Sequence, residues 1–207
     1  MKDTGFLKLV LFVNSLVPLT LLGWDWSHKN VGANPLEFVT RTTGMLTLIF
    51  LVLTLAISPL RKITGLNWLG KFRRMLGLYA FFYGSLHLLT YLWFDRSFNF
   101  PSMVQDVVQR RFILFGMTAF LLMVPLAITS TNKMIKRLGG KRWSKLHRLV
   151  YIAAIAGVTH YWMLVKSDIR LPLTFAFILV LLLSHRLFVK YFPSQPPLRG
   201  AGFLPRD

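Results

Sequence analysis

Six apolar runs, each bounded by charged or turn-forming residues, divide the chain. They fall at about Phe6–Gly23, Gly44–Leu60, Met75–Phe94, Phe112–Thr129, Leu149–Val165 and Leu171–Tyr191. A helix needs about 20 apolar residues to cross the hydrocarbon core of a bilayer. Each run therefore predicts a membrane-spanning helix, some of them short. The pattern predicts an all-α fold, an integral membrane bundle of six transmembrane helices over residues 1–192. From Pro193 the chain turns rich in Pro and Gly, and residues 193–207 read as a disordered cytoplasmic tail. The first run does not read as a cleaved leader: it lacks a small-x-small site, and Asn14 and Pro18 interrupt its apolar core.

Composition agrees with this pattern. Of 207 residues, 54% are hydrophobic, and the mean hydropathy is +0.52. A formal charge of +18 in a soluble protein would suggest nucleic acid, but its distribution says otherwise. With both termini on one side, 18 of the 25 Lys and Arg residues fall on that side and 7 on the other. Five of the seven acids (Asp25, Glu37, Asp95, Asp106 and Asp168) fall on the less basic side. Lys and Arg are retained on the cytoplasmic face, so both termini are expected in the cytoplasm. The basic loops are expected against anionic lipid head groups of the bilayer. No nucleic-acid partner is expected.

There is no cysteine, which excludes disulfides, iron–sulfur clusters and covalent c-type haem attachment. No G-x-G-x-x-G fingerprint occurs either, and no segment after the sixth run is long enough for a nucleotide-binding domain. If the chain moves electrons, nicotinamide and substrate chemistry lie on other proteins. No Lys, Asp or Glu lies deep within the six runs, which argues against a small transporter with an ion or proton relay.

Three of the five histidines lie inside apolar runs: His185 falls toward the inner end of the sixth run, and the other two share the same local pattern. One is Ala80-x-x-x-Gly84-x-x-His87; the other is Ala153-x-x-x-Gly157-x-x-His160. Offsets of three, four and seven share one helical face. His87 stands 13 residues after Arg74 and His160 stands 12 after Arg148, so the two rings reach nearly equal depth if both helices run outward. One imidazole from each of two helices can bind a haem iron from opposite faces, a b-type electron-transfer site. The small residues below each ring are expected to leave room for the macrocycle.

His147 precedes His160 by 13 residues, a rise of about 20 Å and a rotation of about 220°. It belongs at the inner edge and off the His160 stripe. Aligning the two Ala-Gly-His patterns sets Arg74, not a histidine, opposite His147. Three readings stay open for His147: pairing with His185, holding a haem with a weak sixth ligand, or solvating a cofactor edge. His185, next to Arg186, reads as an interfacial residue, and His28 as a solvated one.

Further segments carry a family resemblance: Gly32-Ala33-Asn34-Pro35-Leu36-Glu37 into Arg41-Thr42-Thr43-Gly44, Ile57-Ser58-Pro59-Leu60-Arg61, Arg73-Arg74-Met75-Leu76-Gly77-Leu78 and Leu146-His147-Arg148-Leu149-Val150-Tyr151. With His87 and His160, they resemble the haem-binding membrane subunits of periplasmic methionine-sulfoxide reductase systems, the MsrQ (YedZ) family. That family lies within the ferric-reductase-like transmembrane group. The resemblance covers about residues 32–162. It implies haem b ligated at His87, His147 and His160, a bound FMN, and a bacterial inner-membrane location. It also implies electrons from the quinone pool or a cytoplasmic flavin reductase. They would pass to a separate periplasmic molybdopterin subunit that reduces oxidised methionines in protein repair. The broader group carries two histidines on each ligand helix, and Arg74 departs from that. Arg73 and Arg74 have two readings, binding haem propionates or a flavin phosphate, or plain positive-inside anchoring. Arg41 and Glu37 either serve a propionate, a quinone pocket or the partner, or pair with each other four residues apart. The rival redox reading is a quinol-oxidising cytochrome b anchor or a cation reductase.

Overall fold

The computed structural model describes residues 4–191; the expected tail at 193–207 lies outside them. Helix α1 spans Thr4–Ser27 and α2 spans Pro35–Thr64. After a short 3-10 segment, Asn67–Lys71, α3 spans Arg73–Thr90 and continues in a π turn, Tyr91–Asp95. Then come α4 (Phe100–Gln109), α5 (Arg111–Ile128), α6 (Asn132–Leu138), α7 (Gly140–Leu146), α8 (Leu149–Leu164) and α9 (Arg170–Tyr191). Among the described residues there is no strand.

Among the described residues five helices are long and apolar enough to cross a membrane: α1, α2, α3 with its π turn, α5 and α9. The sixth expected span, α8, is helical but has 16 residues, a rise of about 24 Å. It starts only after the break at His147 and Arg148 and ends where Val165 turns extended, at ψ 124°.

The helix ends follow local chemistry. Asn34 caps α2 by accepting from the Glu37 amide at 3.2 Å, and Pro35 opens the first turn. Gly65 ends α2 in the left-handed region at φ 70°. Gly139, at φ +75°, separates α6 from α7, because glycine reaches positive φ without steric cost.

The core is built from two antiparallel pairs, α2 with α3 and α5 with α8, with α9 packed across α2 and α8. Ala80 and Ala153, the first small residues of the two patterns, have no exposed surface. Lipid is as apolar as leucine, so helices associate through close packing and small residues let backbones approach. Phe50 stacks on both Tyr79 and Tyr83, with centroids 5.4 Å apart in each case. The same two tyrosines hold α1: Tyr79 Oη donates to the Phe12 carbonyl at 2.9 Å and Tyr83 Oη to the Ser15 carbonyl at 2.7 Å.

Pro59 lies inside α2. Proline has no N–H, so the carbonyl four residues earlier, Leu55, loses its helical donor. Arg186 on α9 supplies one: its Nη2 donates to the Leu55 carbonyl at 2.6 Å. The break in α2 is thereby used to tie α9 to it.

Candidate functional site

His87 on α3 and His160 on α8 come together between the two helix pairs. Their ring centroids are 6.1 Å apart with planes at 75°. Each ring is half-buried and fixed from behind. The Nδ1 atom of His87 lies 2.8 Å from the Thr40 carbonyl on α2, and that of His160 lies 2.6 Å from the Phe112 carbonyl on α5. A carbonyl only accepts, so Nδ1 is the protonated nitrogen in both rings and Nε2 carries the lone pair. Neither Nε2 makes a hydrogen bond among the described residues.

The two seats are built alike. Each histidine donates to the carbonyl one turn before a glycine on the neighbouring helix, Gly44 for His87 and Gly116 for His160. A Cβ at Gly44 would stand 3.0 Å from His87 Nδ1, and one at Gly116 would stand 2.8 Å from His160 Nδ1. Only glycine lets the ring lie this close to the helix backbone. Sequence reasoning missed both as ring seats. The available signal was a lone glycine four residues after the accepting carbonyl in an otherwise bulky apolar run.

The glycines that were singled out do something else. A Cβ on Gly84 would meet the Met123 methyl at 3.2 Å and Thr47 Cγ2 at 3.4 Å; one on Gly157 would meet a Leu48 methyl at 3.2 Å. These positions are filled by side chains of other helices. The space expected there for a macrocycle is packing space, lined on one side by an adaptable methionine.

His147 lies apart from this pair, at the break between α7 and α8. Its ring stacks on Trp143 with centroids 3.8 Å apart, and its Nε2 is 3.1 Å from Thr129 Oγ1. Trp143 Nε1 donates to the Thr129 carbonyl at 2.9 Å. Burial holds the His147 imidazole below the usual histidine range, favouring the neutral ring. No hydrogen bond or ring contact joins His147 to His185 among the described residues. His185 instead faces a small cavity with Tyr151 and Arg186.

Arg73 and Arg74 diverge. Arg73 Nη2 donates to Ser58 Oγ on α2 at 2.5 Å. Arg74 Nη1 donates to Asn132 Oδ1 at 2.5 Å and to the Ser130 carbonyl at 3.4 Å. Arg74 and His147 therefore meet adjacent residues just past the end of α5, Ser130 and Thr129. At the opposite end of α2, Arg41 pairs with Glu37 at 2.5 Å, both largely solvent-exposed. A separate cluster joins α4 to the π turn: buried Asp106 on α4 accepts from Tyr91 Oη at 2.7 Å and pairs with Arg96 and, at 3.4 Å, Arg110.

Residues 43–158 match the family described as the ferric reductase like transmembrane component. That stretch takes in Gly44, His87, Gly116 and His147 and stops two residues short of His160. The chain is also similar to proteins named as the haem-binding subunit MsrQ of a protein-methionine-sulfoxide reductase. That of Herminiimonas arsenicoxydans is 52% identical over 88% of this chain and 84% of its own length. That of Azospira oryzae is 50% identical over 100% of this chain and 92% of its own. That of Rhodospirillum rubrum is 49% identical over 90% of each. Several apolar helices and a transmembrane family make this a multi-pass protein of the bacterial inner membrane. With half its residues shared over nearly full length, the chain belongs to the MsrQ family within the ferric-reductase-like transmembrane group.

Proposed function

We propose that this chain holds a haem b between His87 and His160 and carries electrons across the inner membrane to a protein-methionine-sulfoxide reductase. The observation that carries the reading is the matched pair of imidazoles. Two imidazole–metal bonds of about 2.0–2.1 Å each, with the half-widths of the rings, set the centroids about 6 Å apart. The observed separation is 6.1 Å. A main-chain carbonyl behind each Nδ1 fixes the tautomer, aims the ring and raises the basicity of Nε2. Thus the two imidazoles fit the group, each with Nδ1 tied to a main-chain carbonyl and Nε2 left without a hydrogen bond among the described residues.

Held by His87 and His160, a haem would supply one-electron transfer. The chain's own part is to hold both rings still and to keep the pair apart from water. His87 and His160 remain neutral donors, since each Nδ1 hydrogen stays on its carbonyl. His147 is the second ligand candidate, at the inner end. Ligation there requires exchange of its Thr129 contact or use of Nδ1.

The wider reading includes α8 as a sixth span and both termini in the cytoplasm, supported by the distribution of Lys and Arg. It includes donors on the inner side, quinol or a cytoplasmic flavin reductase, and a periplasmic molybdopterin subunit as acceptor in the repair of oxidised proteins. The relatives' names support the methionine-sulfoxide reductase system. FMN enters through the family resemblance, with Arg73 or Arg74 at its phosphate, and Arg41 at the outer mouth. The ferric-reductase match supports a second reading, a cation reductase using the same haem.

The full chain purified from haem-replete cells is expected to show a sharp reduced b-type spectrum, lost in His87→Ala and in His160→Ala. A colourless, folded protein overturns the proposal. Co-purification with a molybdopterin protein separates the first reading from the second.

A further inference from the structure

A group of cations gathers around Ser58 at the far end of α2 from Glu37. Two guanidinium groups converge on one hydroxyl oxygen: Arg73 Nη2 donates to Ser58 Oγ at 2.5 Å and Arg186 Nη2 reaches it at 3.3 Å. Arg186 also donates to Tyr151 Oη and lies over the Tyr151 ring at 4.8 Å. The charges of Arg186 and Arg61 both bear on Arg73. Among the described residues no carboxylate answers them: every ion pair there uses Glu37, Asp106 or Asp168, at the other end of the bundle. Like charges drawn together and partly desolvated without a counter-charge are costly.

Beside this cluster is a cavity of about 200 Å³ between α2, α8 and α9, lined by Ser58, Lys62, Tyr151, His185 and Arg186. The Nδ1 of His185 and the Nε of Arg186 are buried and have no hydrogen-bond partner. The cavity is below the ~300 Å³ at which pockets begin to take drug-sized ligands, a size that suits a single anionic head group. Its flanks are apolar and outward-facing: Leu60 is 44% exposed, Ile63 73% and Leu187 56%. In a membrane protein such flanks meet acyl chains. Basic pockets between membrane helices bind anionic lipid head groups.

The geometry points to a site for the phosphate of an anionic phospholipid. Arg186 and Lys62 supply charge, and His185 Nδ1 supplies a donor. The acyl chains would lie against the exposed Leu60 and Leu187. Because Arg186 is also the group that satisfies the carbonyl freed by Pro59, a lipid bound there would stiffen the α2–α9 contact. The site rests on the membrane location of the chain and not on haem binding.

The test uses the full chain in mild detergent, titrated with phosphatidylglycerol, phosphatidylcholine or inorganic phosphate. The readouts are thermal unfolding and native mass spectrometry. Phosphatidylglycerol is expected to bind at one per chain and raise the unfolding temperature, with little effect of the other two. The double variant Lys62→Gln/His185→Leu is expected to bind at least about fivefold more weakly, the contribution of one basic side chain near a membrane surface. Its helicity and haem absorption are expected to be unchanged. Equal stabilisation by phosphatidylcholine or by inorganic phosphate overturns the assignment, and so does wild-type binding by the double variant.

Discussion

The imidazole of His160 rests on Gly116 so closely that a methyl group at that glycine would stand 2.8 Å from Nδ1. His87 rests on Gly44 in the same way, at 3.0 Å. Each ring is thus positioned by the helix it faces rather than by its own. Gly116→Ala is expected to displace the ring at a cost of about 1–3 kcal/mol for overpacking. This exceeds the gain of up to about 1 kcal/mol in helix propensity. Haem content per chain is expected to fall and the reduced spectrum to broaden, less so in Gly44→Ala. Full haem content in Gly116→Ala would show that the seat is unnecessary.

His147 and Thr129 provide a contrast at the inner end. Thr129→Val removes the hydroxyl 3.1 Å from His147 Nε2. The expected loss is about 0.5–1.5 kcal/mol, the net value of one hydrogen bond. Amide exchange should rise across α7 while the sharp b-type spectrum stays. His147→Ala should keep that spectrum too, because His87 and His160 do not depend on it. Disappearance of the spectrum in His147→Ala would place the main haem at the inner end instead.

Pro59 and Arg186 form a coupled pair. In Pro59→Ala the new N–H competes for the Leu55 carbonyl now taken by Arg186. Arg186→Gln is expected to cost about 1.5–3 kcal/mol in the native background, as for hydrogen bonds to charged groups, and clearly less when Pro59→Ala is present. A double-mutant cycle in thermal or denaturant unfolding measures the difference. Equal costs in both backgrounds would mean that the freed carbonyl contributes nothing to holding α9.

Asp106 anchors α4 to the π turn that follows α3. Asp106→Asn leaves Arg96 and Arg110 without their shared carboxylate. A loss of about 1–3 kcal/mol is expected, with faster proteolysis near Ser97 and Phe98, which both hold positive φ. Haem absorption is expected to survive, since Tyr91 and Asp106 do not touch either ligand ring. Unchanged protease sensitivity would argue that α4 is held by its apolar contacts alone.

Much of this protein is legible along the chain. The apolar runs locate the helices because hydrophobic length is a local property that a bilayer reads directly. The repeated Ala-Gly-His pattern locates two ligand candidates at one depth, because depth follows from rise per residue. Gly139 marks its turn for the same local reason. The brevity of α8 was less legible: the run Leu149–Val165 reads as apolar throughout, and its helix starts only after the break at His147 and Arg148.

Neighbourhood was decided only in three dimensions. Read along the chain alone, this is a membrane protein with two matched histidines and basic helix ends. The tertiary structure decided that Gly44 and Gly116 seat the rings, that Gly84 and Gly157 pack against other helices, and that Arg73 and Arg74 part company. It also decided that Arg186 answers Pro59. The physical reason is that each of the long helices α1, α2, α3, α5, α8 and α9 is apolar around most of its surface. With lipid and protein equally apolar, hydrophobic patterning does not select partners. That selection falls to close packing, orphaned carbonyls and a few polar contacts, which exist only once the helices stand side by side.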